Sequence, residues 1–369
     1  MDNNPFTPTR RAFLAGAAGA ALALSRPGRA EEPVASAPPK RNIPLGFDNF
    51  SIRSLGWNAE QLLDYAGQVG VDVLMLSNLG VYTSFEESYL ADLKEKADRL
   101  GVQIIPGTNS ICPTSGAWDP KYGSPQELLN LGLRIAKTLG AKAFRCYLGH
   151  RGDRKSEGNI YPHIEETVKV CRGVRSVALE TGVKIAIENH AGDMQAWELA
   201  GLVEAAGKDF VGVTLDSGNA TWTVEDPLAS LEILGPLAAA SGMRDSAVWE
   251  IETGAAVQWT NMGDGAVDWE VYVNRFAELC PGIPFILEII SGGPQEFHYL
   301  EPAFWDTYPR GRAADLARFV ALAKRGRPAV APPGRPSGEG PEVQKQQQLF
   351  DLEQSIRFCK EKLGLGLKA

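Results

Sequence analysis

From residue 43 onward the chain alternates short, almost unbroken apolar runs with longer segments in which apolar residues recur every three or four positions. The runs fall at 43–50, 71–77, 102–107, 141–148, 183–189, 210–216, 237–244 and 283–290. The amphipathic segments fall at 58–69, 86–100, 124–139, 159–181, 195–207, 226–236, 266–279 and 311–325. Strands that are apolar on both faces belong to a parallel sheet covered by helices, and eight strand–helix alternations predict a closed (β/α)8 barrel, a TIM barrel. Gly70, Gly101, Gly140, Gly182 and Gly207 stand where the helices are expected to stop, at the position that wants a left-handed residue.

Four of the runs end abruptly in polar groups. Val183-Lys-Ile-Ala-Ile-Glu-Asn-His190 closes on Glu188, Asn189 and His190; Val211-Gly-Val-Thr-Leu-Asp216 on Asp216; Leu237 to Asp245 on Gly-Met-Arg-Asp; and Ile283-Pro-Phe-Ile-Leu-Glu288 on Glu288. Side chains two apart on a strand share a face, so Glu188 and His190 are expected to point one way and Asn189 the other. Polar groups delivered by several strands to one rim are how a barrel of this type builds an active site.

Ahead of the barrel, Thr9-Arg10-Arg11-Ala12-Phe13-Leu14, the Ala/Gly/Leu run 15–24 and the small-residue exit Gly28-Arg29-Ala30 have the form of a twin-arginine export signal. Residues 1–30 are therefore expected to be a signal peptide and 31–42, rich in proline, a flexible leader, with the mature protein periplasmic. The apolar run is too short to span a membrane of roughly 20 residues' thickness, and no cysteine follows it to carry a lipid. Cleavage after Ala30 would leave 339 residues and remove four positive charges and one negative, taking the formal net charge from -8 to -11. Such acidity argues against a nucleic-acid partner. Cysteines 112, 146, 171, 280 and 359 are odd in number and scattered, giving neither a disulfide framework nor a CxxC metal site. Buried thiols are expected.

Glu188, Asp216 and Glu288 end strands five, six and eight, and in a closed barrel those ends converge. Three like charges in one mouth repel unless a cation, an arginine or a proton offsets them. A divalent ion with oxygen ligands, Mn2+ or Mg2+, is the economical answer.

Over roughly residues 43–325 the chain resembles the xylose isomerase-like sugar isomerase/epimerase family of TIM barrels. The resemblance is carried by Ile187-Glu188-Asn189-His190, Leu215-Asp216-Ser217-Gly218-Asn219, Gly263-Asp264-Gly265-Ala266-Val267-Asp268-Trp269 and Leu287-Glu288. It implies that Glu188, Asp216 and Glu288 bind one divalent metal together with a strand-seven histidine from a His-x-Lys/Arg-Asp pattern. This chain has Gly242-Met243-Arg244-Asp245, so glycine stands where the histidine ligand is expected. Water or His190 could take the fourth position; alternatively Arg244, on the same face as Gly242, could bring its guanidinium to the carboxylates and replace the ion.

The resemblance further implies proton abstraction beside a carbonyl on an unphosphorylated sugar, keto-sugar or cyclitol. The metal would stabilise the enediolate, Glu188 and Glu288 would be acid and base, and His190 and Arg244 would bind hydroxyls or developing charge. Arg145, His150 and Asn109 are further candidates for polar substrate. Of Trp118, Trp222, Trp249 and Trp259, all in expected loops after strands, one or two are expected to touch ligand, Trp222 and Trp259 first. The mouth offers few lysines and no Gly-rich phosphate cradle. Two other outcomes fit the same residues: a lyase or dehydratase on a keto-glycoside, which begins with the same proton, and a barrel that binds carbohydrate without catalysis. Beyond the barrel, a Pro/Gly-rich linker, 326–342, leads to a final amphipathic helix in 343–369. Its apolar stripe, Leu349, Leu352, Ile356, Cys359 and Leu363, is expected to dock on the barrel or on a second subunit in a homo-oligomer.

Overall fold

The computed structural model describes residues 39–368; the expected signal peptide and most of the leader lie outside the described residues. Eleven strands are present among them: β1 (Leu45–Asp48), β2 (Val73–Leu76), β3 (Gln103–Ser110), β4 (Ala143–Tyr147), β5 (Lys184–Glu188), β6 (Val211–Asp216), β7 (Ala238–Gly242), β8 (Asp245–Ile251), β9 (Gly254–Thr260), β10 (Phe285–Leu287) and β11 (Gln295–Phe297). β1 to β7 and β10 form one parallel sheet in the order β10-β1-β2-β3-β4-β5-β6-β7. Its ends meet just past β7, where the Met243 N–H donates to the Ile286 carbonyl at 2.6 Å and the Glu288 N–H donates to the Met243 carbonyl at 2.9 Å. The expected barrel is therefore present and closed.

Strand alternation divides every barrel strand into an outward set, packed under the helices, and an inward set. Val73, Met75, Ile105, Ala143, Ala186, Ala240 and Ile286 are inward and form the apolar floor. One step further along each strand the inward register turns polar.

The helices are α1 (Ala59–Gln68), α2 (Glu87–Leu100), α3 (Pro125–Leu139), α4 (Tyr161–Gly173), α5 (Arg175–Thr181), α6 (Ala196–Ala206), α7 (Ser217–Thr221), α8 (Pro227–Leu234), α9 (Trp269–Leu279), α10 (Ala313–Arg325) and α11 (Pro341–Leu363). Their ends are written locally. Reciprocal capping boxes, Asn58 with Gln61 and Ser124 with Glu127, open α1 and α3, and Gly101 and Gly140 end α2 and α3 with φ of 60° and 76°. The single helix expected at 159–181 is interrupted at Val174, whose φ of -115° separates α4 from α5. All five cysteines are buried and unpaired.

Two arrangements differ from the sequence reading. The segment after β7, expected as a loop, is the β8–β9 hairpin, which pairs from Asp245↔Thr260 to Ile251↔Gly254 and takes β11 on its other edge. A second small core of Val248, Val257, Phe297, Phe319 and Leu322 lies beneath it, and α10 supplies the last two residues. α10, expected as the barrel's eighth helix, thus covers the hairpin. The place in the helical ring goes to α11, whose Leu352, Ile356, Cys359 and Leu363 join the main core. Its apolar stripe is spent on the barrel itself. Among the described residues no helix is long and apolar enough to cross a membrane.

Candidate active site

The inward register of the strands and the residues just past their ends deliver Asp48 from β1, Arg145 and Tyr147 from β4, Glu188 from β5 with His190 after it, Asp216 from β6, Gly242 from β7 with Arg244 after it, and Glu288 after β10 to the carboxyl-terminal mouth; in β3 the register shifts between Gly107 and Ser110, so Ser110 and not Asn109 stands level with Tyr147. Glu188, Asp216 and Glu288 are 1%, 0% and 4% exposed, and one oxygen from each lies within 4.8 Å of the others. Asn189 points outward and stitches β5 to β6: its Nδ2 donates to the Asp216 carbonyl at 2.8 Å and its Oδ1 accepts the Asp216 N–H at 2.9 Å.

Two arginines offset the acids. Arg145 donates through Nε to Glu188 Oε2 at 2.5 Å and through Nη1 to the Thr108 carbonyl at 3.1 Å. Arg244 donates through Nη2 to Asp216 Oδ2 and, at 2.6 Å, to Glu288 Oε2. Asn219 Nδ2 donates to the other oxygen of Glu188 at 3.0 Å, and the Asn219 N–H donates to Asp216 Oδ1 at 2.7 Å. The sequence assigns Arg145 to polar substrate and leaves Arg244 to substrate or to the carboxylates. Both are buried and spent on carboxylates, because an unpaired buried carboxylate costs more than a paired one.

Arg244 reaches this place between glycines. A Cβ on Gly218 would stand 2.2 Å from Arg244 Cγ, so only glycine lets the side chain pass. Trp259 covers the guanidinium, with Arg244 Cζ 4.4 Å from the ring centroid, and is itself stacked on Trp222 at 4.2 Å and 14°. The Trp259 indole N–H donates to the Gly218 carbonyl at 3.1 Å. Arg244 Nε is buried without a partner, so the side chain is held by its Nη2 end.

The fit of a divalent ion can be judged from the same atoms. Three convergent carboxylate oxygens suit one. A Cβ on Gly242 would lie 3.3 Å from Asp216 Oδ2 and 3.5 Å from Glu288 Oε2, so position 242 does face the centre, but it offers no ligand. Arg244 Nη2 already bonds those two oxygens. The carboxylates fit an ion; the set as assembled, with a guanidinium between them, does not.

Burial sets the proton affinities. It pushes Glu188 well above the ordinary carboxylate range, with Glu288 and Asp216 adding to the effect and Arg145 opposing it. Asp216 is raised to about 6, chiefly by burial and against the pull of Arg244. Asp48 is raised to about 7 by burial and the nearby Glu288. His190 moves the other way, down to about 3, through burial and the positive charge of Arg145. Its Nδ1 lies 2.6 Å from the Gly149 carbonyl, which makes Nδ1 the protonated nitrogen and leaves Nε2 as an acceptor. The ring stacks on Tyr147 at 3.7 Å.

The stacked, half-buried pair His190 and Tyr147 thus lies above the sealed acids, while Asn109 is exposed at the end of β3. His150 lies apart in the loop after β4, where its Nδ1 accepts the Gly152 N–H at 2.9 Å. Trp118 is half-buried against the main core, and Trp249 is half-buried on β8. Three residues of the centre are not among the site residues the sequence suggests: Asp48, Tyr147 and Asn219. Asp48 falls inside the first apolar run, 43–50, and not at its end, and its Oδ1 accepts from the Phe50 N–H at 2.8 Å and the Ser77 hydroxyl at 2.6 Å.

The Gly263–Trp269 motif has a structural use. Asp245, fully buried, accepts from the N–H groups of Gly263, Gly265 and Val267 at 3.1, 3.0 and 3.3 Å and from the Trp269 indole at 2.7 Å. It clamps the return from the hairpin into α9 directly beside Arg244.

The family model described as "Xylose isomerase-like TIM barrel" matches residues 63–307. No curated protein matches the chain. Among solved structures, a D-psicose 3-epimerase in the presence of D-fructose superposes with a TM-score of 0.56 at 14% identity, covering 87% of this chain and 100% of its own. The IOLI protein with a binding zinc atom gives 0.51 at 15% identity, with 76% and 96% covered. A xylose isomerase-like TIM barrel protein from Mycobacterium smegmatis in complex with magnesium gives 0.51 at 13% identity, with 76% and 98% covered. At these identities the structures share the fold. With the family model spanning well over half of its residues, this chain belongs to the xylose isomerase-like TIM barrel family.

Proposed function

We propose that this chain is an enzyme of the sugar isomerase/epimerase type, which takes a proton from the carbon beside a carbonyl of an unphosphorylated sugar, keto-sugar or cyclitol. The observation that carries the reading is the meeting of Glu188 and Glu288, from β5 and β10, in one buried centre with Asp216. Burial raises the proton affinity of Glu188 against the opposing charge of Arg145, the direction that suits a general acid, and Glu288 beside it is the partner base. His190 stays neutral across the working range and offers Nε2 to a hydroxyl. Tyr147 adds a polar edge, and no lysine belongs to the inward register of the mouth to favour a phosphate. The twin-arginine form of residues 9–14 supports a periplasmic site of action.

A second reading, carbohydrate binding without catalysis, is favoured by the near-complete sealing of the three acids. A metal-dependent form, with Mn2+ or Mg2+ on Glu188, Asp216 and Glu288, draws its support from the zinc and magnesium relatives and requires Arg244 to leave Asp216 and Glu288. Incubating the protein with a panel of sugars and keto-sugars in heavy water separates the outcomes. One deuterium beside the carbonyl, lost in Glu188→Gln and Glu288→Gln, is the expected result. Release of an aglycone with that exchange identifies the lyase alternative, and binding with no exchange for any sugar defeats the enzyme reading.

A further inference from the structure

We infer that Arg244 is the resident cation of the acidic centre, a guanidinium standing in the place the family resemblance gives to a divalent metal. The inference concerns the centre on which the proposed proton transfer rests, but it is read by metal content and melting rather than turnover, so either can fail alone.

The first ground is which oxygens are taken. A ligand carried by position 242 would approach Asp216 Oδ2 and Glu288 Oε2, the oxygens that a Cβ there would face at 3.3 and 3.5 Å. These are the two atoms to which Arg244 Nη2 donates. The strand-seven sequence departs from the expected pattern at one position: the missing side chain at Gly242 opens the space, and the arginine two residues on, which that pattern also allows, lies in the same inward register and fills it.

The second ground is that the path and its end are built. Gly218 gives Arg244 Cγ and Cδ a passage that a Cβ, at 2.2 and 2.5 Å from them, would close. Ser217 fixes the backbone at the root of the side chain: its hydroxyl donates to the Arg244 carbonyl at 2.7 Å and accepts the Arg244 N–H at 3.0 Å. Trp259 seals the far side of the guanidinium, backed by Trp222. A surface arginine that had drifted inward would have none of these supports.

The third ground is charge. Glu188 has its own guanidinium in Arg145, so all three carboxylates are bonded to a fixed cation. A dication entering the same point would face Arg244 at contact distance in a medium that screens poorly, and would have to expel it.

The test uses the full-length protein. Metal analysis after purification without added ions is expected to find none retained. Titration with MnCl2, ZnCl2 and MgCl2 is expected to give no saturable one-to-one binding, and neither EDTA nor MnCl2 to move the melting midpoint. One equivalent of any of these ions retained or bound, or a midpoint lowered by EDTA, overturns the inference. The double substitution Gly242→His with Arg244→Ala, which restores a ligand and removes the guanidinium, is expected to gain one equivalent of Mn2+ and a higher midpoint in its presence. A folded double variant that gains no ion also overturns the stand-in role. Should that variant fail to fold even with Mn2+, the wild-type measurements decide the matter by themselves.

Discussion

One nitrogen of Arg244, Nη2, is shared by Asp216 of β6 and Glu288 of β10, the second at 2.6 Å, so a single side chain from beyond β7 ties together the last strands of the barrel. The tie depends on Gly218. Gly218→Ala places a Cβ 2.2 Å from Arg244 Cγ, and either α7 shifts or the arginine withdraws. Overpacking of this kind costs about 1–3 kcal/mol, and detaching the guanidinium from its buried acids about 3–5 kcal/mol. Urea unfolding is expected to show a lower midpoint at unchanged slope; a loss below about 0.5 kcal/mol, the range of an ordinary surface substitution, would mean that the passage is not constrained.

Asp48 makes the fold sensitive to pH in a direction that can be worked out. Its folded pKa of about 7 stands above the 3.8 of an ordinary aspartate, so the native state holds this proton more tightly than the unfolded chain does. The group's contribution to stability therefore falls as pH rises from about 4 to about 7, and the penalty stays constant above that. His190, lowered to about 3, acts in the opposite sense: its contribution rises with pH from about 3 to about 6.5. The wild-type curve mixes these with the other raised buried acids, Glu188, Asp216 and Asp245 among them, and the difference between wild type and Asp48→Asn isolates the aspartate. Asparagine still accepts from the Phe50 N–H and the Ser77 hydroxyl, so the variant is expected to be the more stable of the two at pH 8, by about 1–4 kcal/mol. The gap should close towards pH 4; equal slopes for the two proteins from pH 4 to 7 would clear Asp48 of this role.

The acids of the centre are legible in the sequence because strand period and strand end coincide there: an apolar run that stops on Glu188, Asp216 or Glu288 leaves that residue inward at the mouth. The same rule puts Arg244 in register with Gly242. Asp48 escapes because Phe50 follows it and carries the apolar run on, making the acid look internal. The register that Arg244 shares with Gly242 makes its pairing with the carboxylates one of two legible readings, whereas the burial of Arg145 is not legible, since it depends on which acids lie across neighbouring strands and not on the arginine's own surroundings in the chain. Trp249 and Trp259 read as loop residues because their polar neighbours Glu250 and Gln258 interrupt the apolar pattern along the two strands. α10 and α11 both carry an amphipathic stripe, and only long-range packing chooses which one enters the ring.

Asp245 offers a test of the clamp beside the site. It accepts from four donors in the return segment and, at 2.8 Å, from the Ser246 N–H. Asp245→Ala leaves these donors without their acceptor in a site closed to solvent, at about 1–3 kcal/mol for each that finds no water. The expected result is a loss of at least about 3 kcal/mol in chemical denaturation, with a changed environment for Trp269 seen in its fluorescence. Asp245→Asn, which keeps one acceptor oxygen, is expected to lose less. An alanine variant as stable as wild type would remove the clamp from the account.

The last prediction concerns α11. Its inner face buries Leu352, Ile356, Cys359 and Leu363 in the barrel's main core, and Lys360 Nζ donates to the Gly70 carbonyl at 2.8 Å at the end of α1. The residues that follow reach further under the barrel: the Leu367 N–H donates to Asp72 Oδ2 at 2.8 Å, and the same oxygen accepts the Leu45 N–H of β1 at 2.9 Å. A tail that could be shed would not be wired to the first strand. Each of the four apolar side chains contributes about 1.5–3 kcal/mol by burial, so together they rival the whole net stability of about 5–15 kcal/mol expected for a domain. A chain ending at residue 340 is therefore expected to be insoluble or to bind a hydrophobic dye without a cooperative melt. Leu352→Ala in the full chain is expected to cost about 2–5 kcal/mol. A truncated protein that melts cooperatively near the wild-type midpoint would return α11 to the status of an appendage.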